Sequence, residues 1–547
     1  MIKIAVFIAG ILAFYPQIIS AKTPNIQETK NDKGKEQVKL LLAKDKYING
    51  EYKAALDLYR DLLGENKEDA MINYRVGRCL HELGQYQVGL EYFEKAFTLK
   101  SDIDSDIEYY LGRAYHRTGQ IDKAIKSLEN FKTKVGAKRA NQFEADWYLS
   151  QCKNAKELMG KPVEVKIDNA GDKINSEYDD YAPSLSADGK TMIFTSRRPE
   201  TKGGGIDVEA DRKYFEDIYI TTWNEEKNIW EDAEQIRGNL NTEGHDASLS
   251  LSPDGKQIFI YRNVEDETRS GDICMSKLNE TGKWSAAHPI ESPINSSYFE
   301  SSASITPDGN YIYFVSERKG GIGNGDIWVS KKIGKHEWGE PINLGAIVNT
   351  IEDEISVFIH PDGKTLFFSS KGHNSMGGYD IYKTVKDDKG VWSKPENVGY
   401  PINTINDDLH FILTTDNRTG YYSTVIDGRG LGERDIYKID MSKYKLIKSA
   451  DGSDAPHLGI IQGKLIDSNT GVEMEAEVII IDSSNNLEIG KSEASDGNFF
   501  FTLPVNKEYS IKIKKVGYKD KEEKFDLKLN KNNDTPIVNK TMLLEKN

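Results

Sequence analysis

The chain has 547 residues, 38% hydrophobic and 29% charged, with a formal charge of −15. That composition leaves room for three or four soluble domains and excludes a disordered chain. The acidic balance repels nucleic acid and anionic lipid and favours a basic partner, with a merely solvated surface as the plain alternative.

Residues 1–21 stand apart. Lys3 precedes an unbroken apolar run, Ile4 to Tyr15, and Ile19-Ser20-Ala21 offers small residues at a cut, the pattern of a signal peptide. The run is short for a bilayer span, so an uncleaved anchor is the alternative. No cysteine follows, so no lipid anchor is expected. Removing the segment takes away one lysine and no acid, giving −16. Cys79, Cys152 and Cys274 have neither metal-ligand nor disulfide spacing and are expected as buried free thiols.

Residues 22–34 read as a polar tether, and a helical pattern follows from Glu36. Gly50-Glu-Tyr52 returns as Gly84-Gln-Tyr86 and as Gly119-Gln-Ile121, at spacings of 34 and 35 residues. Gly77 and Gly112 stand where paired helices touch, and Tyr52, Tyr86, Phe93 and Leu128 fill the space between repeats. Residues 36–160 therefore resemble the tetratricopeptide repeat family, as about three repeats closed by a capping helix, Asn141 to Leu158. That resemblance implies an α-solenoid with a groove for a peptide or helix of another protein; a plain spacer is the alternative. Asp102, Asp104 and Asp106 lack the rest of a calcium loop and are expected to act as helix-start acids.

From 162 to 441 the chain says nearly the same thing five times. The turn aspartates Asp188, Asp254, Asp308, Asp362 and the degenerate Asp416 recur every 54 residues, except for a first interval of 66 caused by extra sequence around Gly203–Tyr214. Each copy predicts an inner strand, an Asp-Gly hairpin turn, an apolar second strand such as Leu366-Phe-Phe368, a third strand opening with Asp-Ile, and a fourth after Trp230, Trp284, Trp338 or Trp392. The fifth copy lacks that Trp and that strand, and Tyr444 to Pro456 reads as a linker. Pro162–Ile174 ends in Ile174-Asn175-Ser176, matching the ends of the other fourth strands. The start of this segment is therefore expected to supply the missing strand and close a five-bladed antiparallel β-propeller, with six blades as the alternative.

Residues 458–545 show period-2 strands separated by turns and resemble the carboxypeptidase regulatory-like domain, a small transthyretin-like β-sandwich. Such domains are non-catalytic modules or spacers.

Eight residues before each turn aspartate stands an acid: Asp180, Asp246, Glu300, Glu354 and Asp408. In a closed ring these would encircle one channel mouth, on the face of the glycine-rich loops, and attract a basic or cationic partner. The alternative is that each acid bonds backbone within its own blade. His360 is expected as a turn residue. No catalytic motif, cofactor site or metal-ligand spacing is present, so the expectation is a non-enzymatic protein; a propeller hydrolase or a carbohydrate or envelope-polymer binder are the alternatives.

The signature Ser-x-Asp-Gly-Lys…Asp-Ile-Tyr resembles the TolB-type, WD40-like propeller family. The domain string as a whole resembles the PorE-like periplasmic components of the type IX secretion machinery of gliding bacteria. The resemblance implies an exported scaffold in the periplasm, associated with the outer membrane and touching the membrane only indirectly, with secretion or motility proteins as partners. The cell surface is the alternative location. Members usually continue into an OmpA-like domain; without one here, peptidoglycan contact by this chain is not expected.

Overall fold

The computed structural model describes residues 32–65, 67–207, 212–262, 271–335, 337–426, 428–449, 452–494, 496–529 and 535–547. The expected signal peptide lies outside the described residues. None of the described helices is long and apolar enough to cross a membrane. The described residues form two compact units, divided between Gly160 and Lys161.

The first unit holds α1 (Asp32–Ile48), α2 (Tyr52–Glu65), α3 (Ala70–Glu82), α4 (Tyr86–Leu99), α5 (Ile107–Arg117), α6 (Ile121–Gln142) and α7 (Ala145–Met159). Leu56, Tyr59 and Leu63 recur at helical spacing on α2 and pack against Ile72, Val76 and Cys79 of α3. Gly50, Gly84 and Gly119 take φ of 79°, 73° and 75°, the left-handed conformation that ends a helix tightly. Gly77 is where it is because a β-carbon there would sit 2.8 Å from the Phe93 ring, and one on Gly112 would sit 2.7 Å from Leu128.

Two boundaries differ from the sequence reading. The polar tether is shorter than expected, since α1 already begins at Asp32. Helix α6 runs on to Gln142 across a break at Gly136 (φ 75°, ψ 167°), so the capping helix starts at Ala145 rather than Asn141. Phe143 still caps the stack, its ring 4.8 Å from Tyr109 and 5.5 Å from Phe131.

Between Lys166 and Asp440 the second unit forms five antiparallel sheets. Their innermost strands are Asp180–Leu185, Asp246–Leu251, Glu300–Ile305, Glu354–Ile359 and Leu409–Leu413. Serine and threonine hydroxyls tie one sheet to the next: Ser184 accepts from Leu251 N–H at 2.8 Å, Ser302 from Val357 N–H at 3.0 Å, and Ser369 donates to the Asp408 carbonyl at 3.0 Å. The fifth sheet meets the first through Thr415, which donates to the Ala187 carbonyl at 2.6 Å. The fifth sheet takes its outer strand from Lys166–Asn169, paired antiparallel with Asp435–Asp440. Apolar second strands such as Leu366-Phe367-Phe368 are buried on both faces between neighbouring sheets, which is why they need not alternate with polar residues.

In the hairpin turns Gly189, Gly255, Gly309 and Gly363 have φ near 70° (71°, 70°, 70° and 68°), and the degenerate last copy meets the same need with Asn417 at 59°. His360 is a turn residue, its Nδ1 accepting from the Asp362 N–H at 3.1 Å. The outer strands of the other four sheets are only two residues long, as at Ile342–Asn343. The stretch from Tyr444 is not a loose linker: Leu446 and Ile447 are buried in the core of the fifth sheet.

Residues 458–544 form a three-stranded sheet (Leu458–Asp467, Asn498–Pro504, Ile537–Leu544) and a four-stranded sheet (Glu477–Asp482, Leu487–Ser492, Lys507–Lys514, Lys521–Leu527) sharing one core of Ile461, Val478, Phe501, Tyr509 and Met542. This module sits on the hairpin-turn end of the five sheets. Ile460 and Phe500 pack on Ala187, Asn310 donates to the Lys491 carbonyl at 2.6 Å, and Thr502 donates to the Pro361 carbonyl. The opposite end carries the glycine-rich loops.

Candidate functional site

At the loop end, one joint is built five times. Asn241, Asn295, Asn349 and Asn403 each grip the isoleucine that opens their own sheet's third strand. The Oδ1 of Asn349 accepts from Ile327 N–H at 2.9 Å and its Nδ2 donates to the Ile327 carbonyl at 3.0 Å, imitating a strand partner. The next residue, Ser or Thr, then holds the acid of the following sheet. Thr350 donates to Glu354 through its backbone N–H at 3.0 Å and its hydroxyl at 2.7 Å.

This geometry corrects the picture of five acids open to a channel. Asp180, Asp246, Glu300, Glu354 and Asp408 occupy equivalent places, yet each is 0% exposed. Their oxygens are occupied by Ser176, Thr242, Ser296, Thr350 and Thr404, each four residues upstream. The reason is local: a carboxylate starting an inner strand satisfies the backbone of the crossing loop better than water can reach it. The first three acids also meet arginines, Arg198 at 3.1 Å, Arg262 at 2.8 Å and Arg318 at 3.2 Å. Glu354 and Asp408 have no ion pair among the described residues, since Gly372 and Ile426 stand 18 residues on where Asp180 and Glu300 find arginine. Burial pushes both up to about 7 against their hydroxyl and backbone partners. Asp180 is also raised by burial, with Arg198 opposing.

A second set of acids carries a role the sequence pattern contained but did not reveal: the aspartates of the repeated Asp-Ile. Asp326 accepts from Gly323 N–H at 3.0 Å and from Asn343 at 2.9 Å, and Asp435 accepts from Gly432 N–H at 3.0 Å and Asn169 at 2.6 Å. They anchor the glycine-rich loops. Burial raises Asp217 to about 6 and Asp380 well above the usual carboxylate range. Their strict recurrence before Ile was the available signal.

The extra residues in the first copy also have a place. Lys213 pairs with Asp179 at 2.7 Å and Glu433 at 2.5 Å, and Asp207 meets His245 of the second sheet at 3.0 Å. His245 Nδ1 lies 3.1 Å from Glu216, which also accepts from Tyr181 OH. Burial works against the charged ring, but Glu216 and Asp207 outweigh it and raise the His245 pKa. Among the described residues no group of three or more His, Cys, Asp or Glu could hold a metal ion.

In the helical unit a row of arginines lies over tyrosine rings. The Arg78 guanidinium of α3 lies 4.7 Å from the Tyr47 ring of α1 and 4.9 Å from Tyr110 of α5. Arg113 of α5 lies 4.5 Å from Tyr148 of α7. Neither arginine makes an ion pair among the described residues. Nearby, Asp106 is not simply a helix-start acid, for it pairs with Arg139 at 2.7 Å.

Residues 40–102 match the tetratricopeptide repeat family. With their seven helices, residues 32–159 fit a solenoid of that kind, followed by many antiparallel strands. A search of curated proteins gave no match. Among solved structures, the type III secretion chaperone SycD of Yersinia enterocolitica, in complex with a peptide of the translocator YopD, is similar over 23% of this chain and 97% of that chain, at 17% identity and TM-score 0.21. TolB from Acinetobacter baumannii is similar over 48% of this chain and 55% of that chain, at 16% identity and TM-score 0.29. The first TPR of Spaghetti (RPAP3), bound to the HSP90 peptide SRMEEVD, is similar over 23% of this chain and 96% of that chain, at 18% identity and TM-score 0.21.

Proposed function

We propose that this protein is a non-enzymatic scaffold that holds protein partners together. The observation that carries the reading is the arginine–tyrosine row of Arg78, Arg113, Tyr47, Tyr110 and Tyr148 across α1, α3, α5 and α7, within and beside the matched tetratricopeptide segment. Guanidinium groups stacked on aromatic faces and unpaired with carboxylate suit an extended partner segment bearing acidic side chains. In this reading the five sheets are the blades of a β-propeller closed by Lys166–Asn169. The tail sheets form a small transthyretin-like sandwich that leaves the propeller's loop end as a second docking face.

The leader-like residues 1–21 and the domain string support export to the periplasm, association with the outer membrane, and a place in type IX secretion or gliding machinery. Pull-down mass spectrometry from envelope fractions tests this, using the mature chain and an Arg78→Ala, Arg113→Ala double variant with unchanged circular dichroism. Secretion subunits retained by the first and lost by the second are expected. Identical captures would defeat the groove reading, and captures without outer-membrane secretion proteins would defeat the pathway.

A further inference from the structure

The residue before each third-strand aspartate occupies one repeated position: Glu216, Gly271, Gly325, Tyr379 and Arg434. The register is common, since each backbone carbonyl accepts the N–H of the next sheet's inner acid, at 2.9 Å for Glu216 and Asp246, 2.8 Å for Tyr379 and Asp408, and 2.9 Å for Arg434 and Asp180. Two of the three side chains here are satisfied within the protein. Glu216 takes Tyr181 and His245, and Tyr379 donates to Asp353 at 3.3 Å.

Arg434 is the exception. It is 4% exposed, and its Nε and Nη1 have no acceptor among the described residues. A guanidinium stays charged, and a buried charge without a counter-charge is unfavourable. The acids beside it are committed elsewhere. Asp179 takes the Arg434 backbone N–H at 3.1 Å and turns its other oxygen to Lys213 at 2.7 Å; Glu433 also faces Lys213, at 2.5 Å. His410, on the inner strand of the same sheet, is pushed down to about 3 by burial and by Arg434, so it adds no charge. Its ring lies 6.1 Å from that of Tyr181.

We infer that Arg434 is the base of a binding site for a single carboxylate group at the loop end of the ring. One permanent positive charge whose neighbouring acids face Lys213 calls for one further negative charge, and the planar guanidinium offers donors that a carboxylate fits. With Arg434 only 4% exposed, the carboxylate must come from a small molecule or from the tip of an extended chain.

The test uses the mature chain at pH 7.5 and constant ionic strength. Thermal melting is followed against sodium acetate, sodium chloride and sodium phosphate, and acetate binding is read by saturation-transfer NMR. A saturable acetate shift absent with chloride, with saturation transfer to the acetate methyl, is expected in the parent protein, and both should vanish in Arg434→Gln. No saturable acetate response, an unchanged response in Arg434→Gln, or a larger saturable response to phosphate would each overturn the assignment. Should that variant misfold, Arg434→Lys is expected to weaken acetate at least about tenfold, and the NMR measurement on the parent protein needs no variant. A short peptide with a free C-terminus, compared with its amide, identifies the source: preference for the free peptide over acetate points to a chain end, the reverse to a small molecule.

Discussion

Asn175 grips Ile436 by both ends of its amide. Its Oδ1 accepts from the Ile436 N–H at 2.9 Å and its Nδ2 donates to the Ile436 carbonyl at 2.8 Å, across 261 positions of chain. The other four copies make the same clasp within a single sheet, over 22 or 23 positions. Only here does it join the two ends of the ring. Next to it, Ser176 holds Asp180 of the first sheet at 2.7 Å, so this one dipeptide binds the last sheet and the first.

Asn175→Ala should therefore leave a buried N–H and a buried carbonyl without partners, at a cost of about 2–4 kcal/mol in denaturant unfolding. Asn349→Ala removes the equivalent pair of bonds and should cost a similar amount. The two should separate in hydrogen exchange: only Asn175→Ala should speed exchange in Lys166–Asn169, the strand paired with Asp435–Asp440. Equal protection of that strand in both variants would show that ring closure does not depend on the clasp.

The buried acids make stability depend on pH. Glu354 and Asp408 are pushed up to about 7 by burial, so their folded forms hold protons that the unfolded chain releases near pH 4. Their contribution is complete below the ordinary carboxylate range and is lost as pH rises through about 7. Melting temperature should therefore be higher at pH 5.5 than at pH 8, and the Glu354→Gln, Asp408→Asn double variant should reduce that difference. His410, depressed to about 3, acts in the opposite sense, its contribution falling away as the solution is acidified below its ordinary value. A difference between the two pH values that the double variant leaves unchanged would remove these acids as its cause.

Helix packing gives a contrast between glycines. Gly77→Ala and Gly112→Ala force a methyl group into Phe93 and Leu128, and each should destabilise by about 1–3 kcal/mol. Gly64→Ala, near the end of α2 with nothing within 4 Å of the new carbon, should instead be neutral or stabilising by up to about 1 kcal/mol. Urea titration of the three variants checks the ordering.

Burial raises both Cys79 and Cys152 to about 12, and all three cysteines are buried and outside any disulfide. A thiol reagent at pH 8 should label neither Cys79 nor Cys152 in the native protein and both in denaturant. Mass spectrometry of the labelled peptides reads this directly, and native-state labelling of either would mean that its helix pair opens.

Much of this architecture is legible in the chain itself, because repeats write the same local chemistry many times. Gly50, Gly84 and Gly119 mark helix ends through a conformation few other residues adopt. The Asp-Gly turns mark hairpins, and the match of Ile174-Asn175-Ser176 to the other strand ends reveals which segment completes the last sheet. The fate of the five acids is not written there. Asp180 or Glu354 could face solvent or a backbone loop with the same neighbours in sequence; the structure turns Glu354 onto Thr350, four residues upstream, and onto Ser370 of the paired strand. The same holds for the tail sheets on the hairpin-turn end, and for Arg434, whose repeated position is filled by glutamate, tyrosine or glycine elsewhere. Spacing along the chain determines which bonds can form locally, whereas burial depends on what distant segments bring to a place, and it is burial that decides whether a charge is paired, neutral or waiting for a ligand.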